Sequence, residues 1–76
     1  MKQWMEKEFD NHCYYDDENG RIIGMTTKQG LSKTIYIATA LNYKLEEPLG
    51  SYVSLDYAKK AIEEFWLIQE RTLLER

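Results

Sequence analysis

One cysteine, one histidine and one proline stand in these 76 residues. With Cys13 alone, no disulfide can close within the chain, and a small core without covalent staples points to a reducing compartment. With His12 alone, no second histidine or cysteine completes a zinc-type ligand set. These two neighbours are also the only nucleophile and base that could be paired. Adjacent residues of an extended strand point to opposite faces, so they cannot share a proton directly. Cys13 therefore reads as a small buried hydrophobe, and no catalytic, cofactor or metal residue is assigned. Long apolar runs are missing as well. No stretch approaches the ~20 apolar residues that span a bilayer, and the first eight residues lack the apolar stretch of a signal peptide. A cytoplasmic, non-membrane protein is expected.

Positive charge is in short supply: ten lysines and arginines face thirteen acids, for a net charge of −3. No basic run exceeds Lys59-Lys60, so a phosphate-gripping surface is disfavoured. An acidic surface suits a basic patch on a partner protein. Gly20, Gly24 and Gly30 are spaced too widely for a phosphate-binding loop, and no Gly-Lys-Ser/Thr follows them.

What is present is a folded composition, 43% hydrophobic and 30% charged, with ten aromatic side chains. A chain of this length forms one domain with a thin core, and aromatics both fill such a core and anchor interfaces. Residues 1–11 form an N-terminal segment whose first nine residues read either as a helical turn or as a first extended segment, with Trp4 and Phe9 expected to tuck against the body. The sheet is expected over 12–53. His12–Asp16 reads as the first strand, and Asn19-Gly20 as a type I′ hairpin turn. Arg21–Thr27 reads as a β-branched strand in which Gly24 marks a bulge or a close backbone approach. After a turn over Lys28–Ser32, Lys33–Leu41 is the clearest strand. Its alternation assigns Ile35, Ile37, Thr39 and Leu41 to the core, and Thr34, Tyr36, Ala38 and Ala40 to an open face. Residues 42–47 read as a polar connection, and Leu49–Val53 as a short fourth strand.

Ser54 has the chemistry of an N-cap, and Asp56 meets the helix dipole favourably. The helix segment, 54–75, runs from Leu55 to about Leu74, with Leu55, Ala58, Ala61, Ile62, Phe65, Trp66 and Leu73 on one arc. The predicted fold class is α+β: a three- to four-stranded antiparallel meander packed on one face by a single long C-terminal helix.

Three groups are candidates for a partner interface. Leu67 and Leu74 sit one heptad apart on the outer side of the helix with Arg71 beside them, a pattern suited to a partner or to a homodimer. Tyr36 on the open sheet face could seat a partner protein or stack single-stranded bases. Asp16, Asp17 and Glu18 miss the calcium-loop spacing, since Gly20 falls at the fifth position and Thr27 where the bidentate acid belongs. They read as a solvated turn able to present negative charge.

The stretch Gly50-Ser51-Tyr52-Val53-Ser54-Leu55-Asp56-Tyr57-Ala58-Lys59, with Trp4 and the turn Asp17–Gly24, resembles small uncharacterised accessory proteins of tailed bacteriophages. The resemblance spans most of the chain and implies a phage origin. It also implies a non-enzymatic protein-binding module that modulates or inhibits a host protein in the host cytoplasm. Nucleic-acid binding through the open sheet face and a self-associating structural subunit are the competing readings.

Overall fold

The computed structural model describes residues 2–30, 33–42 and 45–74, with side chains described as far as Arg71. Among these residues five strands, β1 Lys2–Glu6, β2 His12–Asp16, β3 Arg21–Gln29, β4 Ile35–Asn42 and β5 Leu45–Tyr52, form an antiparallel meander in chain order. A 20-residue helix, α1 Leu55–Leu74, packs across one face. The sheet therefore exceeds the expected three to four strands. The extra strand comes from residues 1–11: Lys2 pairs with Asp16, Trp4 with Tyr14 and Glu6 with His12. Its face is set by Trp4, whose ring stacks on Tyr14 at 4.6 Å and whose indole N–H donates to Glu63 Oε1 at 3.0 Å. Lys59 Nζ lies 5.3 Å above the same ring. Phe9 does not tuck in: it is 86% exposed.

The β2–β3 connection is a four-residue loop, not a two-residue type I′ turn. Gly20 takes φ +64 while Asn19 does not enter the positive region. β3 continues to Gln29, past the expected start of the next turn; Leu31 and Ser32 of that turn lie outside the described residues. β4 begins at Ile35 and β5 already at Leu45, so most of the expected polar connection is strand. Residues 46–48 pair with Leu41, Ala40 and Thr39. Pro48 and two glutamates sit on this edge strand, where a missing N–H and charge both discourage pairing with another chain.

The main inversion concerns the faces of β4. Ala38 and Ala40 are fully buried and Tyr36 packs against the same cluster, whereas Ile35, Ile37, Thr39 and Leu41 point away from the helix. The reason is steric. A helix can lie close to a sheet only where side chains are short, and the covered face carries Ala38, Ala40 and Gly24 opposite Ala58 and Ala61. Ile62 fills the seam so tightly that a Cβ on Gly24 would stand 2.5 Å from its Cγ2. Bulk is supplied by two β-bulges. Register slips at Tyr14/Tyr15 and at Ala38/Thr39 leave Ile23 and Leu49 as extra residues. Ile23 is buried and Leu49 packs against the core. Trp66 closes the far end by donating its indole N–H to Ile23 O at 2.8 Å. The helix begins as expected: the Ser54 carbonyl accepts the Ala58 N–H at 3.1 Å, the bond that marks an N-cap position.

Candidate functional site

With the small residues turned inward, the outward face of the sheet is uncharged and mainly apolar, with Gln3, Thr27, Gln29 and Thr39 as its polar members on β1 to β4. Across it, β1 presents Met5, β2 Cys13 and Tyr15, β3 Ile22 and Met25, and β4 Ile35, Ile37 and Leu41. Register aligns Met5, Cys13, Met25 and Thr39 in one row across the four strands. An antiparallel sheet with one solvated face ordinarily alternates apolar-in and polar-out. Here the order is reversed on β4, and no charged side chain stands on the outward face of β1 to β4 among the described residues. Glu46 on β5 is the charge at its border. The outward residues are mostly half-buried among one another, and Ile22 is more open.

Tyr36, expected on this face, is on the other one. Its hydroxyl donates to Asp10 Oδ2 at 3.1 Å. The outward face thus lacks Tyr36, keeps Tyr15 as its aromatic, and carries no lysine or arginine on β1 to β4 among the described residues. On the helix, Leu67 is 61% exposed, beside an equally open Ile68, and Arg71 is also exposed. The Leu74 side chain lies outside the described residues.

Asp16 does not present charge to solvent. It is buried and accepts the Asn19 side-chain N–H at 2.7 Å and the Glu18 amide at 3.0 Å, folding the loop back on itself. The Asn19 bond, then the Glu18 amide, hold its carboxyl below the usual value of 3.8 against the effect of burial. Asp17 and Glu18 are exposed. Because the folded pKa is depressed, the stability Asp16 adds is complete above about pH 4 and is lost as pH falls through the folded value. Denaturation midpoints of the wild type and Asp16→Ala are therefore expected to differ at pH 6 and to converge towards pH 2. A gap that stays constant across that range would contradict this account of the turn.

No family model, curated protein or solved structure matches the chain. What the side chains place together must therefore carry the functional reading.

A second grouping lies at the corner where β1 turns into β2. The chain makes a short 3-10 turn over Glu8–Asp10, and Phe9 and Asp10 both take positive φ, +58 and +59. Two consecutive non-glycine residues in that region cost on the order of 1–3 kcal/mol each. The turn is held by Lys7 N–H to Asn11 O at 2.6 Å, and by Asn11 Oδ1 accepting the Lys28 amide at 3.0 Å. Its effect is to bring the Asp10 carboxylate over the buried His12, Oδ1 to Nε2 at 3.0 Å, with Lys28 Nζ 3.7 Å from Oδ2. The bonds from His12 and then Tyr36 hold the Asp10 carboxyl below its usual range. One ligand-type atom each from Glu6, Asp10 and His12 fall within 4.8 Å of one another. The cluster pairs one histidine with two carboxylates, so no second histidine or cysteine marks it in the sequence. The Asp10-x-His12 spacing was the signal available, and the kink that makes it effective was not visible. Cys13 points to the opposite face and stays apart from it.

Proposed function

We propose that this chain is a non-enzymatic protein-binding module whose docking surface is the outward face of its sheet. The single observation that carries the reading is the uncharged, mainly apolar face across β1 to β4, turned away from the only α-helix among the described residues. The occupant we assign is a second copy of the chain, stacked sheet to sheet.

Three arguments favour a second copy. An apolar sheet face is complementary to itself about a twofold axis, with interdigitating side chains at about 10 Å separation. The chain carries net charge −3, and contact through the face without charge is where two copies repel least. Five strands about 4.8 Å apart, each contributing about 17 Å, give a footprint of roughly 400 Å² in projection and more in accessible area. Two such faces reach roughly 1,000 Å² in total, where specific interfaces begin.

Sedimentation equilibrium from micromolar to hundreds of micromolar tests this. The wild type is expected to form dimers, Ile37→Lys to be monomeric with unchanged circular dichroism, and Leu67→Glu to remain dimeric. A wild type that is monomeric throughout removes the second copy as occupant. If Leu67→Glu rather than Ile37→Lys abolishes the dimer, the interface moves to the helix. The resemblance to phage accessory proteins supplies the proposed setting, modulation of a host protein. A host protein whose stoichiometric binding to a monomeric chain is lost with Ile37→Lys would replace the second copy on the same face.

A further inference from the structure

The corner cluster is independent of the sheet-face reading, and its geometry leads to a different chemistry. Two donors each at about 2.1 Å from an ion stand about 3.4 Å apart in a tetrahedral shell and, at the right angles of a five- or six-coordinate shell completed by water, about 3.0 Å apart. The latter is the separation of His12 Nε2 from Asp10 Oδ1. Glu6 is exposed, long enough to swing, and already has a carboxylate oxygen within 4.8 Å of the other two donors. One imidazole with two carboxylates, leaving positions open to water, suits first-row transition dications rather than the all-oxygen surroundings that Ca²⁺ and Mg²⁺ prefer.

The surroundings supply what outer-shell groups supply at such sites. Metal-bound carboxylates are themselves hydrogen-bonded, and bound histidines donate the remaining ring N–H to an acceptor. The second oxygen of Asp10 accepts from the Tyr36 hydroxyl at 3.1 Å. Directly across from His12 on β3 stands Thr26, fully buried, with its Oγ1 unpaired. A buried hydroxyl without a partner is a standing deficit. An imidazole whose Nε2 lone pair faces an ion carries its proton on Nδ1; Thr26 Oγ1 lies across the strand pair and is not hydrogen-bonded to His12, so the ring would have to shift to use it as acceptor. Lys28, 3.7 Å from Asp10 Oδ2, occupies the cation's side of the cluster and would compete with an ion for it.

We propose that Glu6, Asp10 and His12 bind one divalent transition-metal ion, Zn²⁺ or Co²⁺ in type, with water completing the shell. The ion ties the end of β1, the kinked turn and the start of β2 together, replacing the direct His12–Asp10 contact.

Titration calorimetry of the full chain with ZnCl₂ is the test, with CoCl₂ absorption as a second readout. The wild type is expected to take up one equivalent. Glu6→Gln, which alters an exposed side chain and leaves the fold intact, should weaken binding at least tenfold, as should His12→Gln. Lys28→Met should tighten it by removing the competing cation. Cys13→Ser should change nothing, and the Co²⁺ complex should lack the intense thiolate absorption. Absence of saturable one-equivalent binding, or binding indifferent to Glu6→Gln, overturns the proposal. Loss of binding in Cys13→Ser would assign the ion to the thiol and overturn it equally.

Discussion

Replacing Ile62 with alanine is expected to destabilise the domain by about 2–5 kcal/mol. Ile62 has no exposed surface and sits at the centre of the seam between α1 and the sheet, with Ala38 and Ala58 around it. Its buried neighbours Ala38 and Ala58 are small, and Trp4, Tyr14, Leu49 and Trp66 pack around the cluster, so the loss depends on how far those larger side chains close on the void. Total stability for a domain of this length is on the order of 4–11 kcal/mol, so the variant would be partly unfolded at 37 °C. Urea denaturation followed by tryptophan fluorescence gives the value, since Trp66 lies one helical turn away. A loss under 1 kcal/mol would mean that the helix does not rest on the sheet through this side chain.

Gly24→Ala should be destabilising by about 1–3 kcal/mol, although the same substitution usually helps a strand. An alanine restricts the unfolded chain and commonly gains about 0.4–1 kcal/mol where the backbone tolerates it. At Gly24 the backbone is extended, so that gain is available. The added methyl, however, would stand 2.5 Å from Ile62 Cγ2 and 3.4 Å from Tyr14 Cβ. Ile62 is β-branched on a helix, with one strongly preferred rotamer, so it cannot turn aside, and overpacking dominates. The two substitutions should therefore be strongly non-additive. In an Ile62→Ala background, which removes Cγ2, Gly24→Ala should become neutral or stabilising. Additive losses in the double variant would show that the two residues do not touch.

The helix was legible because its signals are local: Ser54 before an apolar arc, no proline inside, and a period of 3.6 from Leu55 onward. The strands from His12 to Leu41 were legible for the same reason, through β-branched runs and a loop of acids, Asn and Gly. β1 was legible only as one of two alternatives, a helical turn or an extended segment, because Lys2–Glu6 has only Trp4 to declare a covered face, and its pairing with β2 is set by the stacking of Trp4 on Tyr14. The faces of β4 were misread because alternation reports which residues share a side without saying which side the helix takes. Ile35, Ile37 and Leu41 have the greater hydrophobicity, yet Ala38 and Ala40 have the fit. The outward face thus became the candidate docking surface through a packing constraint involving Gly24 and Ala58, residues far away in sequence. The Glu6–Asp10–His12 cluster depends on positive φ at Phe9 and Asp10, residue types that give no warning of it. The turn at Asp16 was half legible: its acids and glycine marked a loop, but the inward hydrogen bonds of Asp16 depend on the loop having four residues.

Nuclear Overhauser contacts from the Ile62 methyls in the Ile37→Lys variant decide which side of β4 the helix covers. Cross-peaks to the Gly24 α-protons and the Ala38 methyl are expected, with none to Ile35. Cross-peaks to Ile35 or Leu41 instead would turn the sheet over, bury the proposed docking face and expose the alanines.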